Sequence, residues 1–179
     1  MKHAIGIDVE ASAIDATRRL LLQQGLAGRA HLFQGNMWEA CGQRPFDLIV
    51  TNLPQFASQR VSNDGRLPTW SAGGSNGRAT VDVFLKGLAD HLAPGGTAIM
   101  THNVFLGLEQ TREILESQGL HAKVVYSASA PLSAAKLASM DPQTRDRFLG
   151  RGIHSVGAYW FSDFHLVEIC REVEVCLAD

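Results

Sequence analysis

The chain has 179 residues, of which 45% are apolar, and this size and composition predict a single domain over residues 1–179 with a real core. Sixteen basic residues stand against eighteen acidic ones, so a net charge of −2 provides no field that would gather nucleic-acid phosphates. No stretch approaches the roughly 18 to 20 uninterrupted apolar residues of a membrane span, and the N-terminus carries no export signal. We therefore expect a cytoplasmic protein with no membrane partner.

Short apolar runs alternate with stretches of helical periodicity along most of the chain. Predicted strands lie at residues 4–7, 30–34, 46–51, 97–101, 122–126 and 164–169. Predicted helices, the first of them capped by Ser12, lie at residues 13–24, 38–41, 80–92, 105–118 and 133–149. Residues 58–78, rich in Gly, Ser and Asn, are predicted to form a long loop. This alternation predicts an α/β fold whose sheet is largely parallel.

Three polar residues follow the first three predicted strands. In open α/β sheets, ligands bind beyond the carboxyl ends of the strands, and Asp8, Asn36 and Asn52 fall there. A carboxylate at Asp8 is suited to accept both ribose hydroxyls of a nucleoside, although it equally fits a cap on the next helix. Asn36 follows a glycine and is also explained by ordinary turn chemistry.

The run Asn52-Leu53-Pro54-Gln55-Phe56 is more specific. The amide of Asn52 offers an acceptor and a donor, so it can hold a planar NH2 group with its lone pair directed at an electrophilic methyl. Pro54 stiffens the turn that presents this amide, and Phe56 is positioned to cover the flat face of a substrate. The alternative is a simple strand exit followed by a core phenylalanine.

The histidines are scattered without metal-ligand spacing, so no metal site is predicted. His102 follows a predicted strand on the functional edge of the sheet. It fits a hydrogen-bonded structural histidine better than a substrate contact.

Together these segments resemble the class I S-adenosylmethionine-dependent methyltransferases, and within them the protein-(glutamine-N5) methyltransferases that modify release factors. The matching motifs are Ile5-Gly6-Ile7-Asp8, Gln34-Gly35-Asn36-Met37-Trp38, Phe46-Asp47-Leu48-Ile49-Val50-Thr51-Asn52-Leu53-Pro54, Gly73-Gly74-Ser75-Asn76-Gly77 and Leu92-Ala93-Pro94-Gly95-Gly96. The third of them resembles the strand leading into an Asn-Pro-Pro-Tyr motif.

The resemblance implies a Rossmann-like, doubly wound, mostly parallel sheet that binds S-adenosylmethionine. The residues it implies for cofactor binding are Asp8, Val9, Asn36, Met37 and Asn52, and those for the methyl acceptor are Asn52, Pro54 and Phe56. The implied reaction is N-methylation of a planar amide or amino nitrogen, on a protein glutamine or on a nucleobase.

The chain departs from the family pattern in four respects. The family's first strand and its Gly-x-Gly-x-Gly loop would precede Met1, which implies an N-terminally incomplete fold with unpaired strand edges, and a homodimer is one way to complete the sheet. Gln55 stands where the aromatic residue belongs. Asn36 and Asn76 replace aspartates. A helical insertion precedes the last strand, so the resemblance divides the chain into a core at 4–126, the insertion at 127–162, the last strand at 163–170 and a tail at 171–179.

Two other functions fit parts of the pattern. A non-catalytic or truncated methyltransferase-like module that binds a protein partner is favoured by the motif departures. A nicotinamide-binding Rossmann domain also uses an acid after its second strand, but it does not explain Asn52-Leu53-Pro54.

Overall fold

A computed structural model describes residues 3–42, 44–58 and 71–171 of the chain. Outside the described residues lie most of the predicted tail, 172–179, and most of the predicted loop, 59–70, which includes Trp70. The chain divides into two compact units, Met1–Pro45 and Phe46–Asp179. None of the described helices is long and apolar enough to cross a membrane.

The first unit is a two-stranded parallel sheet with helices along it. Its elements are β1 (Ala4–Asp8), α1 (Ala11–Gln23), a 3-10 turn (Ala27–Arg29), β2 (Ala30–Gln34) and α2 (Trp38–Cys41). Asp8 pairs with Gln34 in the parallel register, so both strands end at the same edge. The predicted cap Ser12 is wrong: α1 begins at Ala11 with Glu10 as its N-cap.

The second unit holds the larger sheet. Its elements are β3 (Phe46–Thr51), α3 (Ala79–His91), β4 (Leu92–Asn103), α4 (Leu108–Glu116), β5 (His121–Leu132), α5 (Ala134–Ala138), α6 (Pro142–Phe148), β6 (Ile153–Val156) and β7 (Tyr159–Cys170). The strand order is β3-β4-β7-β5, with β6 paired to β7. Since β7 is antiparallel to both of its neighbours, β3, β4 and β5 all run in one direction. The α/β fold class with mostly parallel strands is confirmed.

The core of the second unit lies between its sheet and the apolar side of α3. Val81, Leu85 and Leu88 recur at helical spacing and are fully buried, as are Met100 and Val167 on the strands. On β3, in contrast, Leu48 is 50% and Val50 is 72% exposed. A run of branched aliphatic residues is typical of a strand covered on both faces, whereas Leu48 and Val50 leave one face of β3 exposed.

Several predicted elements differ at their boundaries. β4 begins at Leu92 rather than 97, because Leu92 pairs with Phe46 ahead of a register shift. Gly96 lies so close to the backbone of Phe46 that a Cβ there would approach the Phe46 carbonyl oxygen to 2.8 Å. The predicted helix 105–118 is broken at Gly107, whose φ of 77° ends a 3-10 turn and precedes α4.

The predicted helix 133–149 is two short helices, because Pro142 cannot continue a helix and instead occupies the first turn of α6. Asp141 caps α6 by accepting from the Thr144 backbone N–H at 2.9 Å. β5 extends to Leu132 and β7 begins at Tyr159, so the helical part of the predicted insertion is shorter than 127–162.

A buried arginine joins α3 to the start of α4. Arg78 is 3% exposed and donates to the carboxylate of Asp82 at 2.9 Å, to the carbonyl oxygen of Leu106 at 3.1 Å and to the hydroxyl of Thr111 at 3.2 Å. The cluster is satisfied as a unit, and removing the guanidinium leaves several buried acceptors without donors.

We expect Arg78→Met to lower the free energy of unfolding by about 3 kcal/mol, because it breaks a buried, hydrogen-bonded charge pair. The matched control is Arg112→Met, which removes a surface pair with Glu109 and should cost less than about 1 kcal/mol. Urea titration followed by circular dichroism measures both. Equal losses in the two variants would contradict the buried network.

Candidate functional site

The strand-end edge of the first unit presents Asp8 to solvent. One of its carboxylate oxygens, Oδ1, accepts from the backbone N–H of Glu10 at 2.9 Å, and its main-chain oxygen accepts from Gly35 N at 3.0 Å. Gln34 donates to the carbonyl oxygen of the neighbouring exposed Val9 at 3.2 Å. Among the described residues, Oδ2 of Asp8 has no donor. The carboxylate is therefore fixed in direction and retains an oxygen that can accept from a ligand.

The turn after β2 carries backbone strain at Met37. Its φ of 42° and ψ of −118° make it the one non-glycine residue with positive φ in the part of the chain that the structure describes. Gly35, two residues before Met37, packs so closely against α2 that an added Cβ would lie 2.6 Å from the Cβ of Ala40. Strained turns of this kind cluster at ligand sites, and this one presents the exposed Asn36.

We expect Met37→Gly to be more stable than Met37→Ala by about 1 kcal/mol or more, because both lose the side chain but only glycine adopts this φ and ψ without strain. Elsewhere glycine is normally the less stable of the two. Urea unfolding monitored by the fluorescence of the adjacent Trp38 makes the comparison. An alanine variant as stable as the glycine variant would remove the case for strain.

In the second unit, two hydroxyl groups hold the turn that follows β3. Thr101 donates to the side-chain oxygen Oδ1 of Asn52 at 2.5 Å, and Thr80 donates to the main-chain oxygen of Pro54 at 2.7 Å. These are the two carbonyl groups of the predicted acceptor motif. Each has a second lone pair, so each remains able to accept one further hydrogen bond.

Gln55 occupies the position where the resemblance expects an aromatic residue, and its side chain points inward. It is buried, donates to the carbonyl oxygen of Thr101 at 2.6 Å and accepts from the backbone N–H of Asn103 at 2.8 Å. The turn is thereby fastened to the end of β4. The one sequence signal for this role is a glutamine between Pro54 and Phe56, which does not by itself predict an inward side chain.

The glycine-rich segment at residues 73–77 packs directly on the turn after β3. A Cβ at Gly77 would lie 2.4 Å from the carbonyl oxygen of Gln55, and one at Gly73 would lie 2.9 Å from its Cα. Gly73 also donates to the carbonyl oxygen of Phe56 at 2.7 Å. The glycines are needed because two backbone segments approach more closely than any side chain permits.

The ring of Phe56 is in the core. It meets Phe105 edge to face, with ring centroids 6.4 Å apart, and the amino group of Lys136 lies 4.7 Å from its centroid. Phe105 in turn stacks on Phe148 at 4.6 Å. Phe56 thus joins the turn to α5 and α6, and the substrate-covering role assigned to it from the sequence stays a prediction that its burial does not favour.

His102 is fully buried on β4, next to Thr101 and Asn103, which bond to Gln55. Its Nε2 lies 2.8 Å from the hydroxyl of Thr111, and its Nδ1 has no hydrogen-bond partner in the described chain. Burial, followed by the nearby charges of Arg78 and His165, lowers the pKa of His102 from 6.5 to about 4. The imidazole is therefore neutral near pH 7, and these contacts give it a structural role.

The pKa of His102 is lower in the folded chain than in the unfolded one. The stability that the neutral imidazole contributes is therefore complete above pH 6.5 and is lost as the pH falls towards 4. Between pH values of about 7 and 5, we expect the free energy of unfolding to fall by about 2 kcal/mol more in the parent than in His102→Gln. Urea titrations at both pH values give this difference. Parallel pH profiles would show that His102 does not titrate in this way.

The predicted site residues fall into two groups. Asp8, Val9, Asn36 and Met37 share the strand-end edge of the first unit, and Asn52, Pro54 and Phe56 share the turn after β3 in the second. Within the residues described, no three His, Cys, Asp or Glu side chains come together in an arrangement suited to a metal ion.

The fold is one found in class I methyltransferases. The YcgJ protein of Bacillus subtilis superposes with a TM-score of 0.60 at 12% identity, over 96% of this chain and 83% of that one. A precorrin-6y C5,15-methyltransferase of Geobacter metallireducens superposes with a TM-score of 0.53 at 11% identity, over 95% and 67% of the two chains. The chain thus has the Rossmann-like fold of this class, as its sequence predicted.

A more particular likeness comes from the sequence. The release factor glutamine methyltransferase of Xylella fastidiosa is 30% identical over 125 residues, which are 67% of this chain and 45% of that protein. The chain therefore spans less than half the length of this relative. No protein-family model matches the chain. The predicted resemblance to the protein-glutamine methyltransferases is confirmed.

Proposed function

We propose that the protein is an S-adenosylmethionine-dependent N-methyltransferase that acts on a planar amide or amino nitrogen, with a protein glutamine side chain as the favoured acceptor. The observation that supports the proposal is in the turn after β3, where the carbonyl groups of Asn52 and Pro54 each accept a hydrogen bond from a threonine hydroxyl. The sequence likeness to a glutamine methyltransferase favours a side-chain amide over a nucleobase.

The first unit supplies the groups for the cofactor in this proposal. Asp8 is exposed and its Oδ2 has no donor within the described chain, which suits acceptance from a ribose hydroxyl. Val9 and the strained turn at Asn36 and Met37 border the adenine. These groups therefore suit the nucleoside part of S-adenosylmethionine.

The second unit supplies the groups for the acceptor. The two N–H bonds of a primary amide donate to Asn52 Oδ1 and to the Pro54 main-chain oxygen, which turns the nitrogen lone pair away from the protein. The cofactor, when bound, supplies a methyl group on a sulfonium leaving group. Transfer of that methyl to the nitrogen would leave a neutral thioether on the cofactor and release one proton from the nitrogen. The chain's contribution is orientation.

We expect titration calorimetry to detect binding of S-adenosylmethionine and S-adenosylhomocysteine, and Asp8→Ala to weaken it by roughly 10- to 100-fold. Loss of a charged acceptor for a ribose hydroxyl accounts for this range. The matched control is Asp15→Ala, which removes an exposed carboxylate on α1 whose one ion pair among the described residues is with Arg18. It should leave the affinity unchanged.

Absence of heat from the folded parent chain would argue against the cofactor site and in favour of the second candidate, a non-catalytic module that binds a protein partner. One observation favours that candidate. Within the described chain, β1 pairs only with β2 and β3 only with β4, while Leu48 and Val50 on β3 are exposed. Completion of the sheet by a second copy of the chain stays a prediction.

A further inference from the structure

Thr101 lies beside Asn52, at the end of the parallel ladder between β3 and β4. Thr51 pairs with Met100, so Asn52 and Thr101 are the next residues in line. Alternation along the strands turns these two side chains to the face opposite Met100. The hydroxyl of Thr101 donates to Oδ1 of Asn52 at 2.5 Å. A rigid strand thus supplies the donor, and an exposed turn supplies the acceptor.

The Thr101 hydroxyl, which donates, is held more rigidly than the Asn52 side chain, which accepts. β4 lies between β3 and β7, and Thr101 pairs with Leu166 on β7. The main-chain oxygen of Thr101 also accepts from the buried amide of Gln55 at 2.6 Å. A β-branched residue in a strand is restricted at χ1 as well. Asn52, in contrast, is exposed and turns about two side-chain torsions unless it is bonded.

The hydrogen bond therefore decides which way the Asn52 amide faces. Oδ1 keeps one lone pair, and its amino group Nδ2 makes no hydrogen bond within the described residues. A ligand that offers one N–H and one acceptor oxygen or nitrogen in a plane matches this pair of groups. A freely turning amide would match it only part of the time.

We propose that Thr101 is a positioning residue that fixes the side-chain amide of Asn52 in the orientation that receives the methyl acceptor. The proposal rests on the proposed function for its catalytic meaning, while the orientation itself is a property of the chain alone. Thr101 touches neither the acceptor nor the cofactor and acts through Asn52.

The first test measures orientation directly. Nitrogen-15 relaxation of the Asn52 side-chain amide, assigned by its disappearance in Asn52→Asp, gives an order parameter in the full chain. We expect a value near the rigid limit of about 0.85 in the parent and below about 0.6 in Thr101→Val, which keeps the shape of the side chain and removes the hydroxyl. Thr101→Ser restores the hydroxyl and should restore most of the rigidity.

Thr97→Val is the matched control. Thr97 lies on the same strand and the same face, and its hydroxyl makes no hydrogen bond within the described residues. This variant should leave the Asn52 amide as rigid as in the parent. An equally rigid amide in Thr101→Val, or equal mobility in Thr97→Val, overturns the proposal.

The second test separates this proposal from the proposed function. Transfer of tritiated methyl from S-adenosylmethionine to a synthetic peptide with one glutamine should show kcat lowered by about 10- to 100-fold in Thr101→Val, with the calorimetric affinity for S-adenosylhomocysteine unchanged. A parent without turnover contradicts the proposed function only, because the relaxation measurement still decides the role of Thr101. A normal kcat in Thr101→Val overturns that role.

Discussion

The conformation of the turn after β3 depends on the hydrogen bonds of the Gln55 side-chain amide. Its two hydrogen bonds, to Thr101 O and from Asn103 N, attach the turn to β4 on either side of His102. Gln55 is buried and both bonds are partly buried, so breaking them leaves polar groups poorly placed to find other partners. The turn is therefore held by strand backbone, which is the most rigid support the fold provides.

Next to this turn, the buried guanidinium of Arg78 is satisfied by hydrogen bonds. Arg78 brings a full charge to the start of α3, and its three side-chain nitrogens donate to Asp82, Leu106 and Thr111. Asn76 accepts from the Arg78 backbone N–H at 3.0 Å, which fixes the start of α3. The glycines then approach the Gln55 backbone without a side chain between them. The loop, the helix and the turn consequently form one hydrogen-bonded assembly.

The two units use different means to present their groups. In the first, the carboxylate of Asp8 is oriented by a local bond to Glu10 N, and the adjoining turn stores strain at Met37. In the second, no strain is needed, because hydroxyls from Thr80 and Thr101 hold two carbonyl groups in place. A charged group requires only a direction, whereas an amide, with an acceptor oxygen and a donor nitrogen in one plane, requires a fixed rotation as well.

Local pattern was sufficient to predict most of the elements and the positions of the strand-end residues. The branched run at Phe46–Thr51 and the periodic apolar residues of α3 each fold as their own spacing requires. Asp8 and Asn52 follow strands and so lie at strand ends. The likeness of these segments to the class I methyltransferases followed from the same local motifs.

What the sequence determined by itself was therefore the element order and the chemistry that follows each strand. The tertiary structure alone decided the inward turn of Gln55, the burial of Phe56 against Phe105, and the pairing of Thr101 with Asn52. Each joins residues about 46 to 49 positions apart. The physical reason is that a side chain takes its direction from the backbone it meets across the sheet, and such partners leave no periodic trace along the chain.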